Sequence, residues 1–135
     1  MEFNVSLDPN IRYNNAALDH FLNDPRGEVG KDMVLRGRAV LFAAKRQVGK
    51  DTRDLERSIH MLHQRVGGIQ QIWIGSDDKI ALLHHEGTRP HAIEARNTEF
   101  LRFRAGGRMV YTRAVMHPGT RANHYLSDNL YLAYL

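Results

Sequence analysis

Glu99-Phe100-Leu101-Arg102-Phe103-Arg104-Ala105-Gly106-Gly107-Arg108-Met109-Val110-Tyr111-Thr112-Arg113-Ala114-Val115-Met116 reads as two strands joined by a two-residue turn. Paired glycines reach the positive φ angles that such a turn demands, and β-branched and aromatic residues flank them. With Gly106 and Gly107 at the centre, Ala105 pairs with Arg108, Phe103 with Val110 and Leu101 with Thr112. Side chains alternate across a strand, so Phe103 and Val110 share one face while Arg102, Arg104 and Tyr111 share the other.

Upstream, Asp24-Pro25 has the form of a helix start, an Asp cap before a proline at the first helical position. From there to Val48 the residues Val29, Met33, Val40 and Ala44 recur at helical steps, one face of a long amphipathic helix expected to pack on the sheet. Gly30 and Gly37 weaken this helix but admit a close neighbour. Gly49 ends it, and Asp51 or Thr52 can cap a short helical turn through Ile59. Ile69–Ile74 reads as a strand, Gly75–Asp78 as a turn and Ile80–His85 as the partner strand. Ile11–Leu22 reads as a short helix. Asn123–Leu135, rich in Leu, Tyr and Ala, reads as a terminal helix. Helices first, strands after and one closing helix imply an α+β domain: a long amphipathic helix on an antiparallel sheet, a projecting hairpin and a C-terminal helix. Residues 1–24 form an N-terminal arm and short helix, and residues 25–135 a single domain.

The 135 residues suffice for one core. There are no cysteines, which removes disulfides and thiolate metal sites and suits a reducing compartment. No apolar run is long enough to cross a bilayer, and Met1-Glu2-Phe3-Asn4 lacks the form of a signal peptide. The net charge of +4 comes mostly from arginine; lysine stands only at positions 31, 45, 50 and 79. Arginine serves protein interfaces and phosphate contacts alike.

Eight histidines raise the question of a metal. His84, His85, Glu86 and His91 cluster in sequence, and His60 and His63 lie three apart on what could be a helix. On a strand, however, His84 and His85 would point to opposite faces, and no His-Glu-x-x-His pattern is present. Surface or interface histidines are the reading adopted, with no metal or cofactor. Ser6, Ser58, Ser76 and Ser127 sit in no nucleophile turn; Ser58 reads as a local hydrogen-bonding residue. The two Gly-Lys-Asp triplets lack the flanking residues of a phosphate loop. Nothing marks an enzyme.

Three stretches in order, Asp51-Thr52-Arg53-Asp54-Leu55-Glu56-Arg57-Ser58-Ile59, then Glu86-Gly87-Thr88, then Pro118-Gly119-Thr120 with His124-Tyr125-Leu126, carry a family signal. They resemble the tail-completion (neck, head-tail joining) proteins of long-tailed bacteriophages, over roughly residues 29 to 132. That family usually shows Asp-Thr-Gly, a strand ending in Glu-x-Gly-Thr, and a closing Pro-x-x-Phe-Leu. Arg53 stands where glycine is usual, which fits a helical cap without positive φ, and Tyr125 would take the packing role of the phenylalanine. The resemblance implies a homo-oligomeric ring, a hexamer or a dodecamer, around the genomic DNA. The ring would sit in the neck or at the head-proximal tail end of the virion and be assembled in the host cytoplasm. Its neighbours would be the connector or stopper and the tail terminator or tube proteins, with no membrane, cofactor or reaction involved. Glu86, Arg89, Arg102, Arg104, Arg108 and Arg113 are the expected contacts to the next subunit or to the DNA channel. The alternative reading is a small basic nucleic-acid-binding protein, argued from the arginines of the hairpin.

Overall fold

A computed structural model describes residues 14–50 and 53–135. The order is α1 (Asn15–Asn23), α2 (Glu28–Gln47), α3 (Asp54–Ser58), β1 (Ile59–Val66), β2 (Ile69–Ser76), α4 (Ala81–Glu86), β3 (His91–Glu94), β4 (Leu101–Ala105), β5 (Arg108–Thr112), β6 (Ala114–His117) and a closing 3-10 helix (Ser127–Ala133). The fold is α+β. Its antiparallel strands form three two-stranded ribbons, β1–β2, β3–β6 and β4–β5.

The long helix α2 organises the body. Val40 and Ala44 on its inner face are buried, and Val48 just beyond it is buried too. The small core continues through Leu55, Ile59, Ala81 and Tyr125, with Leu41, Ile74 and Leu126 packed on it. The two helix glycines do mark close approaches. A Cβ on Gly37 would lie 2.8 Å from Met61 Sδ and 2.9 Å from Ile72 Cγ2, and one on Gly30 would lie 2.8 Å from Gln70 Oε1. Gln70 is the buried polar residue of this seam. Its amide donates to Leu22 O at 2.6 Å, and its Oε1 lies 2.8 Å from His63 Nε2, so α1, α2 and the β1–β2 ribbon are tied together. Arg65 to Asp19, at 2.8 Å, adds a surface link to α1.

Five expectations need correction. Asp24 does not cap α2: Gly27 holds that position, and Asp24 ends α1, its carboxylate accepting from Arg26 N at 2.7 Å. His60 and His63 lie on strand β1 rather than on a helix. Ile80–His85 is not a strand, for it carries helix α4, and the true partner of β2 is β1, joined through Gly67-Gly68. A short apolar run without alternation fits either element, and the pairing needs of β2 were already met. The closing helix is 3-10 in type. Finally, Arg53 has φ 63° and ψ 8°, so it adopts the left-handed conformation that glycine would supply more cheaply. Asp51 and Thr52, the expected caps, lie outside the described residues, as do the first residues of the helix expected over Ile11–Leu22.

Candidate assembly surface and histidine cluster

The Glu86-Gly87-Thr88 and Pro118-Gly119-Thr120 segments, 32 residues apart, meet face to face. Thr88 N donates to Thr120 O at 3.0 Å, Thr120 N returns the bond to Thr88 O at 3.1 Å, and the two hydroxyls lie 3.1 Å apart. Gly87 (φ 75°) and Gly119 (φ 87°) flank this bridge, each against the opposite backbone. A Cβ on Gly87 would stand 2.5 Å from Thr120 O, and one on Gly119 would collide with Thr88 O. Both glycines are therefore required by close approach as well as by φ. Glu86 ends helix α4 rather than a strand, which corrects the expected setting of this carboxylate.

Between the two threonines runs an arm made of β3–β6 and the β4–β5 hairpin. The hairpin has the expected register: Leu101 opposite Thr112, Phe103 opposite Val110, Ala105 opposite Arg108. Gly106 and Gly107 take φ 54° and 78° at its tip. The chain does not stay in one strand through Met116. It kinks at Arg113, where Thr112 Oγ1 donates to Ala114 O at 2.8 Å, and β6 then pairs with β3. Phe103 and Val110 are half-buried; Arg102, Arg104 and Tyr111 are exposed on the other face.

Among the described residues Arg89, Arg102, Arg104 and Arg108 form no ion pair. Arg113 stacks over Phe100, 5.7 Å from the ring centre. An open groove of about 490 Å³ separates the two ribbons of the arm, lined by Ile93, Leu101, Phe103, Val115, Met116 and Pro118 among others. Apolar side chains also stand out from the body. On the outer face of β1–β2, Leu62 opposes Trp73 and Val66 opposes Ile69, all four exposed, Trp73 by 58%. Leu35 and Phe42 project from the back of α2, Phe42 exposed by 67%.

The histidines divide by their partners. His84 Nε2 accepts from Gly49 N and from Asn123 Nδ2, both at 3.2 Å, so that nitrogen is already used to hold the end of α2. His91 pairs with His117 across β3–β6, ring centres 5.2 Å apart, and is not part of the group formed by His85, Glu86 and His124. His85, by contrast, meets Glu86 at 2.6 Å and stacks edge-on against His124 at 5.0 Å. One ligating atom from each of His85, Glu86 and His124 lies within 4.8 Å of the others. Since α4 is a helix, the opposite-face rule for neighbouring strand residues does not apply to His84 and His85. Reading the sequence missed His124 as a partner because it lies 39 positions from His85 and no local spacing connects them.

Tyr125, next to His124, is the largest fully buried side chain among the described residues. It sits 5.4 Å from the His85 ring and 5.9 Å from the His84 ring. Burial, and secondarily the charge of Asp78, raise its phenol above the ordinary range. Ser58 makes the expected local bond, to Leu55 O at 2.8 Å, but its hydroxyl also lies 2.6 Å from Ser76 Oγ at the end of β2, so its role is not local alone. No described helix is long and apolar enough to cross a membrane. The chain matches no known family model, no curated protein and no solved structure.

Proposed function

We propose that this chain is a structural subunit of a homo-oligomeric ring in the neck or head-proximal tail end of a long-tailed bacteriophage, joining head to tail around the DNA channel. The observation that supports an assembled subunit most directly is the surface. A compact monomer of this mass exposes about 7,200 Å²; this chain exposes 11145 Å². Granting the residues outside the described set the full area of extended chain, about 2,500 Å², still leaves roughly 2,000 Å² beyond a compact monomer of the remaining mass. A standard interface buries about 800 Å² on each partner, so that excess is enough for two such contacts on one chain. A ring subunit meets a neighbour on each side, and this chain offers apolar groups on several faces: Leu62 and Trp73, Leu35 and Phe42, and the groove of the arm. The sequence resemblance supplies the choice of assembly.

In this reading Arg102, Arg104 and Arg108 face acidic groups of a neighbouring subunit or ring, or the DNA in the lumen. Glu86 and Arg89 stand at the base of the same arm, and Arg113 at the kink between its two ribbons. The ring is a hexamer or dodecamer in the virion, assembled in the host cytoplasm beside connector or stopper and terminator or tube proteins, and its role requires no reaction. Light scattering behind size exclusion, followed by electron microscopy, tests this. A ring with a hole wide enough for duplex DNA is expected; a monomer at high micromolar concentration overturns it. Arg102→Glu with Arg104→Glu is expected to leave the circular dichroism unchanged and to stop complementation of a defective phage.

The second reading, a small basic nucleic-acid-binding protein, draws on Arg102, Arg104 and Arg108, which form no ion pair among the described residues, beside the exposed Tyr111. Stacking of bases wants several aromatics on the basic face, and among the described residues of the hairpin Tyr111 and Phe100 are those at hand. Tight, salt-sensitive DNA binding by a monomer would favour it over the ring.

A further inference from the structure

We propose that His85, His124 and Glu86 form a binding site for a divalent transition-metal ion of the zinc type. The donor set is two imidazoles and one carboxylate. With neutral rings it carries a single negative charge, and borderline nitrogen donors with one oxygen suit Zn²⁺ or Co²⁺ rather than Mg²⁺. The ligating atoms already lie within 4.8 Å of one another. In a tetrahedral site they would lie about 3.3 Å apart, from zinc–ligand distances of about 2.0–2.1 Å. Side-chain rotation supplies the difference.

The backbone beneath these side chains is fixed, so the site is held in place before any ion arrives. Asn123 N donates to both His84 O and His85 O at 3.1 Å, which locks the segment bearing His124 onto the end of α4. Asp128 N donates to His124 O at 2.9 Å, and the neighbouring Tyr125 is sunk in the core. His85 is itself mostly covered, its side chain 16% exposed, while Glu86 and His124 open to solvent. Ser127 Oγ lies 3.3 Å from His85 Nε2, at the edge of the same open side. Three protein ligands with an open fourth position result, available to water or to a group from another subunit. His84 cannot take part without abandoning Gly49 N and Asn123. The ion would clasp α4 to the C-terminal segment, two stretches that otherwise meet through hydrogen bonds and Tyr125.

The experiment uses the full chain without a polyhistidine tag, titrated with Co²⁺ and followed by visible absorption. Zn²⁺ and Mg²⁺ are compared in parallel by calorimetry and thermal melting. One Co²⁺ or Zn²⁺ per chain, a rise in melting temperature with Zn²⁺ and none with Mg²⁺ are expected. His124→Ala changes an exposed side chain and should fold normally; it should weaken Zn²⁺ binding by about tenfold or more, since even outer-sphere partners of metal ligands are worth that much. Glu86→Gln should weaken it likewise, and His91→Ala should leave it unchanged. Absence of binding by the unaltered chain, or binding that survives His124→Ala, overturns the assignment.

Discussion

Tyr125→Ala should be among the most damaging single changes in this protein. The side chain is 1% exposed, the largest in a core built from few residues, and it joins the C-terminal segment to α4 and to the end of α2. Truncating a buried aromatic typically costs about 3–5 kcal/mol, because the cavity left behind collapses only in part. Here collapse is hindered by the hydrogen bonds that fix the surrounding backbone, Asn123 N to His84 O and Asn129 Nδ2 to Tyr125 O at 2.9 Å. For a chain of this length such a loss lowers the melting temperature by about 10–18 °C. Tyr125→Phe provides the control. The hydroxyl has no hydrogen-bond partner among the described residues, so removing it should cost less than about 1 kcal/mol. Denaturant unfolding followed by circular dichroism reads both variants. A Tyr125→Ala loss within about 1 kcal/mol of that of Tyr125→Phe would refute the reasoning, since the ring would then not be what seats the C-terminal segment.

Arg53→Gly relieves a left-handed residue and should stabilise the protein by about 1 kcal/mol or less, the gain being offset in part by the freer unfolded chain; unchanged or lower stability in urea would contradict the assigned backbone. Gly119→Ala adds a Cβ against Thr88 O at positive φ and should cost at least about 2 kcal/mol, read as a shifted urea midpoint. Acid should weaken the junction of α1 and α2. Hydrogen bonds from Asn23 and Arg65 lower the Asp19 pKa, that from the Arg26 backbone lowers Asp24, and Lys31 lowers Glu28. Their contribution is present above the ordinary carboxylate range and is lost as pH falls through the depressed folded values. At the alkaline end the sign is reversed: the raised phenol of Tyr125 contributes stability below its ordinary pKa and loses it as pH rises through the folded value, so the alkaline limb of a stability profile should flatten in Tyr125→Phe.

The hairpin at Gly106-Gly107 was legible residue by residue because turn chemistry and alternation agree there. The α2 face and the tight seams at Gly30 and Gly37 were legible for a similar reason, that period and residue size are local properties. Strand β1 was hidden although its signal was present. Gly67-Gly68 is the same turn dipeptide, and Ile59 and Met61 alternate with exposed positions, but the spacing of His60 and His63 drew the reading toward a helix. Ile80–His85 is too short for period alone to choose between strand and helix. The convergence of His85 with His124, and of Thr88 with Thr120, depends on how distant segments pack, and no window of sequence contains it.

The Thr88–Thr120 bridge has a consequence for how this protein can change. The chain leaves the body and returns to it at adjacent residues, and the ribbons in between pack chiefly on themselves. To the body, the excursion is one closed loop, and lengthening such a loop is cheap: each doubling costs only about 0.6 kcal/mol of closure entropy. The arm can therefore be trimmed, extended or exchanged for another while Tyr125 and the α2 seam stay as they are. Relatives of this chain could diverge fastest in what they touch and slowest in how they fold.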